Sequence, residues 1–403
     1  MGVFQTSRET RVRESTFEKV NDAGDQTPVP RASKPRRIVS VVGARPQFIK
    51  AATVCDAFAE LNHAVDESRR IKEVVVHTGQ HYDYEMSENL CSQLGLAPVT
   101  NLGINGGTQA EQTAAMMREL ERVFVAERPD MVLLYGDTNS TLAGALAAAK
   151  LGITIAHVEA GLRSFNRAMP EEINRVVTDH VANLFFAPTS TAVSNLRREG
   201  IDKNVFLVGD VMYDAIQRHL CRAERNSRVL EDLGLQSKKY ILVTVHRAEN
   251  TNATEQLQRI VAALADVSLS VTVVWPMHPR TRQALKQAGA PIFADGHYPL
   301  RIIGPASYLD MLVLERNAQT IVTDSGGVQK EAAWLGVPCV TLRDETEWIE
   351  TVQSGWNVLA GTERTSILNE VSSAPVRTQG LPPFPAQGGA ARDIVRRLAQ
   401  ALT

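Results

Sequence analysis

The sequence predicts an α/β protein made of two doubly wound parallel sheets whose carboxyl edges face a shared cleft. Three observations carry this expectation. From residue 37 onward, short β-branched runs alternate with longer helical patterns. The strand runs are apolar nearly throughout, as strands covered by helices on both faces must be. The same alternation starts again near residue 240, and 403 residues are enough for two domains of ordinary size.

Residues 1–36 stand apart: they are rich in Ser, Thr, Arg and Glu and carry Pro28, Pro30 and Pro35. They contain no apolar core of a secretory signal, and Glu9, Glu14, Glu18, Asp22 and Asp25 fit a transit peptide poorly. The segment reads as a disordered extension. The first half, residues 37–210, has strands expected at Arg37–Val42, Glu73–His77, Met131–Tyr135, Ile153–Val158, Leu184–Ala187 and Val205–Val208. Helical patterns fall between them at Phe48–Leu61, Gln109–Glu127, Thr141–Leu151 and Glu172–Ala182. The second half, residues 211–385, repeats the grammar with strands at Tyr240–Val245, Val271–Pro276, Leu300–Ile303, Thr320–Thr323 and Cys339–Leu342. Its helices are expected at Gln256–Ala265, Thr281–Ala288, Tyr308–Arg316 and Val328–Leu335. A closing helix, Ala391–Leu402 within residues 386–403, suits packing on either half.

Composition removes several function classes. With 43 Lys+Arg against 45 Asp+Glu, the net charge of −2 gives no global attraction to nucleic acid or to an anionic membrane. No stretch approaches the roughly 18 uninterrupted apolar residues of a membrane helix. Cys55, Cys91, Cys221 and Cys339 lie far apart without a CxxC pair, which excludes zinc-ribbon and thioredoxin-like readings and fits a reducing compartment.

In open parallel sheets ligands bind beyond the carboxyl ends of the strands, so polar residues just after a strand are site candidates. The first strand runs into Gly43-Ala44-Arg45-Pro46-Gln47-Phe48-Ile49-Lys50, where two cations flank a helix start suited to phosphate oxygens. The third ends in Gly136-Asp137-Thr138-Asn139-Ser140-Thr141, where Asp137 is either a helix cap or a functional acid. The fourth ends in His157-Val158-Glu159-Ala160-Gly161, and Pro170-Glu171-Glu172-Ile173-Asn174-Arg175 follows as a helix entry with two acids in its first turn. Asp137, Glu159 and Glu171 thus fall at neighbouring carboxyl edges. Acids so placed raise one another's pKa values, which suits general acid/base work. No zinc-type ligand spacing accompanies them; a magnesium site built from the acids is the lesser alternative.

In the second half, Val245 leads into His246-Arg247-Ala248-Glu249-Asn250, placing an imidazole and a guanidinium at a strand end. The string Asp324-Ser325-Gly326-Gly327-Val328-Gln329-Lys330-Glu331 reads as strand, turn and helix, with backbone N–H groups and a hydroxyl aimed at an anion. Glu331, one helical turn on, suits acceptance from ribose hydroxyls. GxGxxG and GxxxxGK[ST] are both absent, against a standard dinucleotide fold or a P-loop.

Taken together, GARPQFIK (43–50), HTGQHYD (77–83), GDTNSTLAG (136–144), HVEAGLR (157–163), PEEINR (170–175), HRAEN (246–250), HPRTR (278–282), DSGGVQKEA (324–332) and LGVPCVTLRDETEW (335–348) resemble the non-hydrolysing UDP-N-acetylglucosamine 2-epimerase family. The resemblance runs in order over residues 37–400. It implies two Rossmann-like domains in a glycosyltransferase-B-like arrangement, a cytoplasmic homodimer serving cell-surface polysaccharide synthesis, and interconversion of UDP-GlcNAc and UDP-ManNAc. No redox or metal cofactor is implied, and neither nucleic acid nor membrane is a partner. On the family pattern Asp137, Glu159, Glu171 and His246 are catalytic. Arg45, Lys50, Arg175, Arg247, Ser325, Gly326 and Gly327 bind substrate, with Ser325 and Gly326 on phosphate and Glu331 on the ribose.

Two departures matter. Trp348-Ile349 replaces an arginine-proline found in many UDP-GlcNAc members, and with Ser164-Phe165-Asn166 it is closer to the branch acting on UDP-2,3-diacetamido-2,3-dideoxy-glucuronate. The His81-Tyr82-Asp83-Tyr84 stretch lacks the pattern tied to allosteric activation by UDP-GlcNAc. The alternatives are therefore the same chemistry on the uronate, a hydrolysing relative, a glycosyltransferase using the same cleft, or a nucleotide-sugar sensor with an inert site.

Overall fold

Each half is organised by one buried central strand. The computed structural model describes residues 35–80, 90–91, 93–96, 99–289, 300–381, 384 and 387–402. The expected disordered tail falls almost wholly outside these residues, as do His81-Tyr82-Asp83-Tyr84 and with them the end of the HTGQHYD string. In the first half, β1 (Arg36–Val42), β2 (Ile71–His77), β3 (Thr100–Asn101), β4 (Met131–Tyr135), β5 (Thr154–Val158), β6 (Leu184–Ala187) and β7 (Val205–Leu207) form one sheet. Its order is β3-β2-β1-β4-β5-β6-β7, and every pairing is parallel. The second sheet comprises β8 (Tyr240–Thr244), β9 (Thr272–Pro276), β10 (Arg301–Ile303), β11 (Thr320–Thr323), β12 (Cys339–Thr341) and β13 (Asn357–Leu359). Its order, β10-β9-β8-β11-β12-β13, is also wholly parallel.

The helices that cover these sheets are α1 (Arg45–Ala64), α2 (Gln109–Glu127), α3 (Asn139–Lys150), α4 (Pro170–Val181), α5 (Ser190–Arg198) and α6 (Val211–Asn226). They continue with α7 (Thr254–Ser268), α8 (Pro279–Gln287), α9 (Tyr308–Asn317), α10 (Gly326–Trp334), α11 (Arg364–Arg377) and α12 (Ala390–Ala401). Alternation along β1 shows why both faces need cover. Ile38 and Val42 pack with Phe48, Ile49 and Phe58 of α1, whereas Val39 and Val41 pack with Met116, Leu120 and Phe124 of α2. β8 repeats this, with Tyr240 and Leu242 towards Leu312 and Leu314, and Ile241 and Val243 towards Leu257, Ile260 and Leu264. Such two-sided burial accounts for the unbroken apolar strands in the sequence.

Both sheets share one topology. Counted within its own half, each runs 3-2-1-4-5-6, with β7 as a seventh strand at the edge of the first, so the strand order reverses between β1 and β4 in one and between β8 and β11 in the other. Those reversals open the crevices where doubly wound sheets bind ligands. The strings after β1, β4, β8 and β11 are among those singled out above from strand ends alone, together with the one after β5.

The closing helix takes one of the two placements open to it. α12 packs on α1 and α6. The α6 residue Asp214 accepts from the backbone N–H groups of Gly389 and Ala391 at 2.8 and 2.9 Å, and Arg392 pairs with Glu60 of α1 at 2.8 Å. α12 thereby reaches the first half through α1 while also packing on α6, the helix that opens the second half. Among the described residues no helix is long and apolar enough to cross a membrane.

Candidate active site

Glycine at position 43 is a steric requirement of the first crevice. A Cβ there would lie 2.7 Å from Thr78 Oγ1 and 2.8 Å from Ser140 Cβ. Gln47 ties the crevice together: its Oε1 accepts from the backbone N–H of Gly43 and Ala44 at 2.7 and 3.0 Å, and its Nε2 donates to Tyr135 O at 2.6 Å. The start of α1 is thus fastened to the end of β4. The cap of α3 is Thr138, whose hydroxyl accepts from Thr141 N at 3.4 Å. Asp137 is therefore not the helix cap. Its Oδ2 instead accepts from Arg175 Nη2 at 2.6 Å, and its carboxylate remains 29% exposed to the cleft. Burial pushes the Asp137 carboxyl up, and Glu171, Glu159 and Glu347 add to this against the opposing pull of Arg175.

The two acids at the entry of α4 have different occupations. Glu172 is buried and accepts from Ser164 N at 2.9 Å, Phe165 N at 3.0 Å, the Ser164 hydroxyl at 3.1 Å and Arg175 Nη1 at 3.0 Å. It fastens the loop after β5. The Glu171 side chain, half-buried, makes no hydrogen bond among the described residues, and its charge acts on both Asp137 and Arg247. It is the free acid of the pair.

Glu159 sits at the end of β5 with φ 75°, a left-handed conformation that costs a non-glycine residue free energy and is retained at functional sites when the surroundings enforce it. Its Oε2 pairs with Lys50 of α1, and its Oε1 accepts from Lys330 of α10 at 3.0 Å. Burial raises this carboxyl, but the two ammonium groups outweigh burial and hold it at about 2. Mutual elevation, expected for the whole acidic cluster, thus applies to Asp137 and fails for Glu159. The physical reason is the pair of lysines, one from each half.

Across the cleft Asp324, fully buried at the end of β11, organises the second crevice. It accepts from the backbone N–H of His246 at 3.0 Å and of Arg247 at 2.9 Å, and from Asn250 Nδ2 at 3.0 Å. This leaves the His246 ring 41% exposed, with Nδ1 3.6 Å from Asp324 Oδ1. Ser325 caps α10 without using its side chain, so the hydroxyl and the first-turn N–H groups of Gly326 and Gly327 remain for a ligand. Glu347 lies against Gly326, where a Cβ would clash with its carboxylate. Arg343 Nη1 donates to Glu347 at 3.0 Å, and Arg247 Nη2 lies 3.5 Å away. Burial again opposes ionisation, and Arg247, Arg343 and Arg175 override it to hold Glu347 at about 2. Arg247 Nη1 and Arg175 Nε are buried donors with no hydrogen-bond partner among the described residues.

A third group forms around Arg45, whose Nη1 donates to Ala306 O at 3.3 Å across the cleft and whose charge is felt by Glu331. Glu331 hydrogen-bonds Glu315, and both are buried. Burial drives Glu315 well up and the neighbouring Glu331 adds to this, while burial also raises Glu331 against the pull of Arg45. No group of three or more His, Cys, Asp or Glu among the described residues is placed to hold a metal ion.

The family described as UDP-N-acetylglucosamine 2-epimerase matches residues 63–399. The chain belongs to the UDP-N-acetylglucosamine 2-epimerase family. It is 50% identical over 338 residues to a Methanococcus maripaludis UDP-N-acetylglucosamine 2-epimerase homolog, spanning 83% of this chain and 92% of that protein. It is also 46% identical over 348 residues to the Pseudomonas aeruginosa UDP-2,3-diacetamido-2,3-dideoxy-D-glucuronate 2-epimerase, spanning 85% and 93% respectively. The crystal structure of Methanocaldococcus jannaschii UDP-GlcNAc 2-epimerase in complex with UDP-GlcNAc and UDP matches with a TM-score of 0.84 at 41% identity, covering 90% of this chain and 99% of that one.

In this member of the epimerase family, contacts and close electrostatic neighbours link the twelve candidate residues read from sequence into local groups. They fall into three groups: Asp137, Glu171, Arg175, His246 and Arg247 with the Ser325-Gly326-Gly327 turn; Lys50 with Glu159; and Arg45 with Glu331. Sequence reasoning missed Lys330, Asp210, Glu347, Arg343 and Asp324. Lys330, Glu347, Arg343 and Asp324 all stand inside the family-like strings, but Lys330 meets Glu159 and Asp210, Glu347 meets Arg247, and Asp324 meets His246, Arg247 and Asn250 only through the fold.

Proposed function

We propose that this epimerase-family chain interconverts C2 epimers of a UDP-linked 2-acetamido sugar, with UDP-GlcNAc and UDP-ManNAc as the pair. The observation that carries this reading is the meeting, at two facing crevices, of three carboxylates from one half and an anion-receiving helix start from the other. The C2 proton of a sugar acetal is not adjacent to a carbonyl, so simple enolisation is unavailable. Elimination solves the problem. A base takes the C2 proton, the C–H pair becomes the C1=C2 double bond, and the C1–O pair leaves with UDP. UDP then adds back to C1 of the 2-acetamidoglucal while a proton is delivered to the other face of C2.

Asp137, with its carboxyl raised by burial and neighbouring acids, suits proton exchange, and Glu171 stands beside it as a second acid/base group. Glu159 acts as a fixed negative charge beside them. His246, Arg247, Arg175 and the Ser325-Gly326-Gly327 turn would receive the diphosphate, with their effect greatest as charge builds on the leaving oxygen. Arg45 and Lys50 add positive charge on the α1 side. Glu331 would accept from the ribose. The chain would act as a cytoplasmic homodimer, a state that light scattering tests.

The same chemistry on UDP-2,3-diacetamido-2,3-dideoxy-glucuronate is the second reading, favoured by Trp348-Ile349 and by the Pseudomonas relative. One experiment addresses both. Each UDP-sugar is incubated with the protein in D2O and C2 is followed by NMR. Deuterium entering C2 with UDP retained in the product is expected. An inert C2 proton in both sugars refutes epimerisation, free ManNAc selects a hydrolase, and product formed only with an acceptor sugar selects a transferase.

A further inference from the structure

We propose that Lys330 is a positioning residue for the C2 chemistry: from the helix that would receive the diphosphate, it reaches across the cleft and fixes the Glu159 carboxylate in place. The inference rests on the epimerase reading above and adds a residue to it. Lys330 lies one turn into α10, and its side chain is only 3% exposed. Its ammonium donates to Glu159 Oε1 at 3.0 Å and to Asp210 Oδ2 at 2.5 Å, and it sits 3.7 Å from the centroid of the Trp348 ring. An ammonium has three N–H groups. Two carboxylates and one aromatic face saturate it.

The contacts join both halves. Asp210 precedes α6 and caps it by accepting from Met212 N at 2.8 Å, so it is itself held. Glu159 ends β5, and its other oxygen is taken by Lys50 of α1. Gly136 leaves room for that pair, since a Cβ there would lie 3.3 Å from Glu159 Oε2 and 3.9 Å from Lys50 Nζ. With both oxygens held by different elements, the carboxylate keeps one orientation despite the left-handed backbone at 159. The charged groups around it are Lys50 on α1, Lys330 on α10, Asp137 after β4 and Asp210 before α6. Burying a lysine is costly without such partners. Because α10 begins at the Ser325-Gly326-Gly327 turn, the diphosphate seat and the clamp on Glu159 share one rigid element. Placement of α10 by nucleotide therefore also sets the carboxylate beside the sugar.

The test compares Lys330→Met, Lys330→Arg and wild type. In Lys330→Met, kcat for C2 deuterium exchange is expected to fall on the order of 100-fold, with UDP affinity by calorimetry changed less than about threefold. Carbon-13 NMR of glutamate-labelled protein, with the signal assigned by Glu159→Gln, is expected to keep Glu159 ionised in wild type throughout the folded range. In Lys330→Met its midpoint should rise by at least about one pH unit. Lys330→Arg should restore the titration and much of kcat. If the methionine variant does not fold, Lys330→Gln keeps a donor without the charge and gives the same readouts. Wild-type kcat in the uncharged variant, or an unmoved Glu159 titration, overturns the proposal while the epimerase reading stands. No exchange by wild type with either sugar overturns that reading and this inference with it.

Discussion

Replacing Glu347 with glutamine removes the carboxylate around which three arginines gather. Its side chain is 5% exposed, Arg343 Nη1 is 3.0 Å away and Arg247 Nη2 3.5 Å away. Arg343 has no other carboxylate partner among the described residues, whereas Arg175 keeps Asp137 and Glu172. Burial raises the Glu347 carboxyl, but the arginines hold it at about 2. Against an unfolded glutamate near ~4.3, linkage assigns about 3 kcal/mol to this environment at neutral pH. The usual cost of removing one member of a buried pair, about 3–5 kcal/mol, agrees. Since the folded value lies below the unfolded one, this stabilisation is complete above the unfolded pKa and is lost as pH falls towards about 2. At pH 3 roughly half of it should remain. The assay is urea unfolding followed by tryptophan fluorescence at pH 7 and pH 3. The variant is expected to be less stable by about 3 kcal/mol at pH 7, with a clearly smaller gap at pH 3. Equal stabilities at pH 7, or the same gap at both pH values, would refute the reasoning.

The two neighbouring acids of α4 should separate cleanly: Glu172→Gln lowers the thermal midpoint because four accepted hydrogen bonds are weakened, whereas Glu171→Gln leaves the midpoint and slows C2 exchange. Differential scanning fluorimetry alongside exchange rates reads both, and the reverse pattern would exchange their roles. Asp137→Asn should cut C2 exchange by about 10²–10⁴-fold while UDP still binds; retained exchange would remove Asp137 from the chemistry. Because burial and neighbouring acids raise the Asp137 carboxyl, wild-type exchange should fall on acidification at a pH above that of an ordinary aspartate, and the profile of Asp137→Asn should lack this limb. Gly326→Ala places a methyl group against the Glu347 carboxylate at the start of α10, so UDP affinity measured by calorimetry should weaken at least about tenfold, and an unchanged affinity would move the diphosphate seat elsewhere.

Much of this was written in local sequence. Strands such as β1, β4 and β8 are apolar because helices cover both faces, and that pattern is visible without coordinates. Ligand-facing strings follow such strands directly, so Asp137, Glu159, His246 and Ser325 were identifiable from strand ends. β3, at two residues, and β13, at three, escaped notice because edge strands this short carry almost no periodicity. The placement of α12 also needed coordinates, since an amphipathic helix fits either half until Asp214 and Glu60 meet it.

The sequence alone determined which residue types stand at the crevices. Only the tertiary structure decided their electrical states. Asp137 and Glu159 look alike in sequence, each an acid after an apolar strand, yet one carboxyl is pushed up and the other is held at about 2. The difference comes from two lysines, Lys50, 109 residues before Glu159, and Lys330, 171 residues beyond it. Charge state depends on distance through space and on exclusion of water, and neither is encoded by position along the chain.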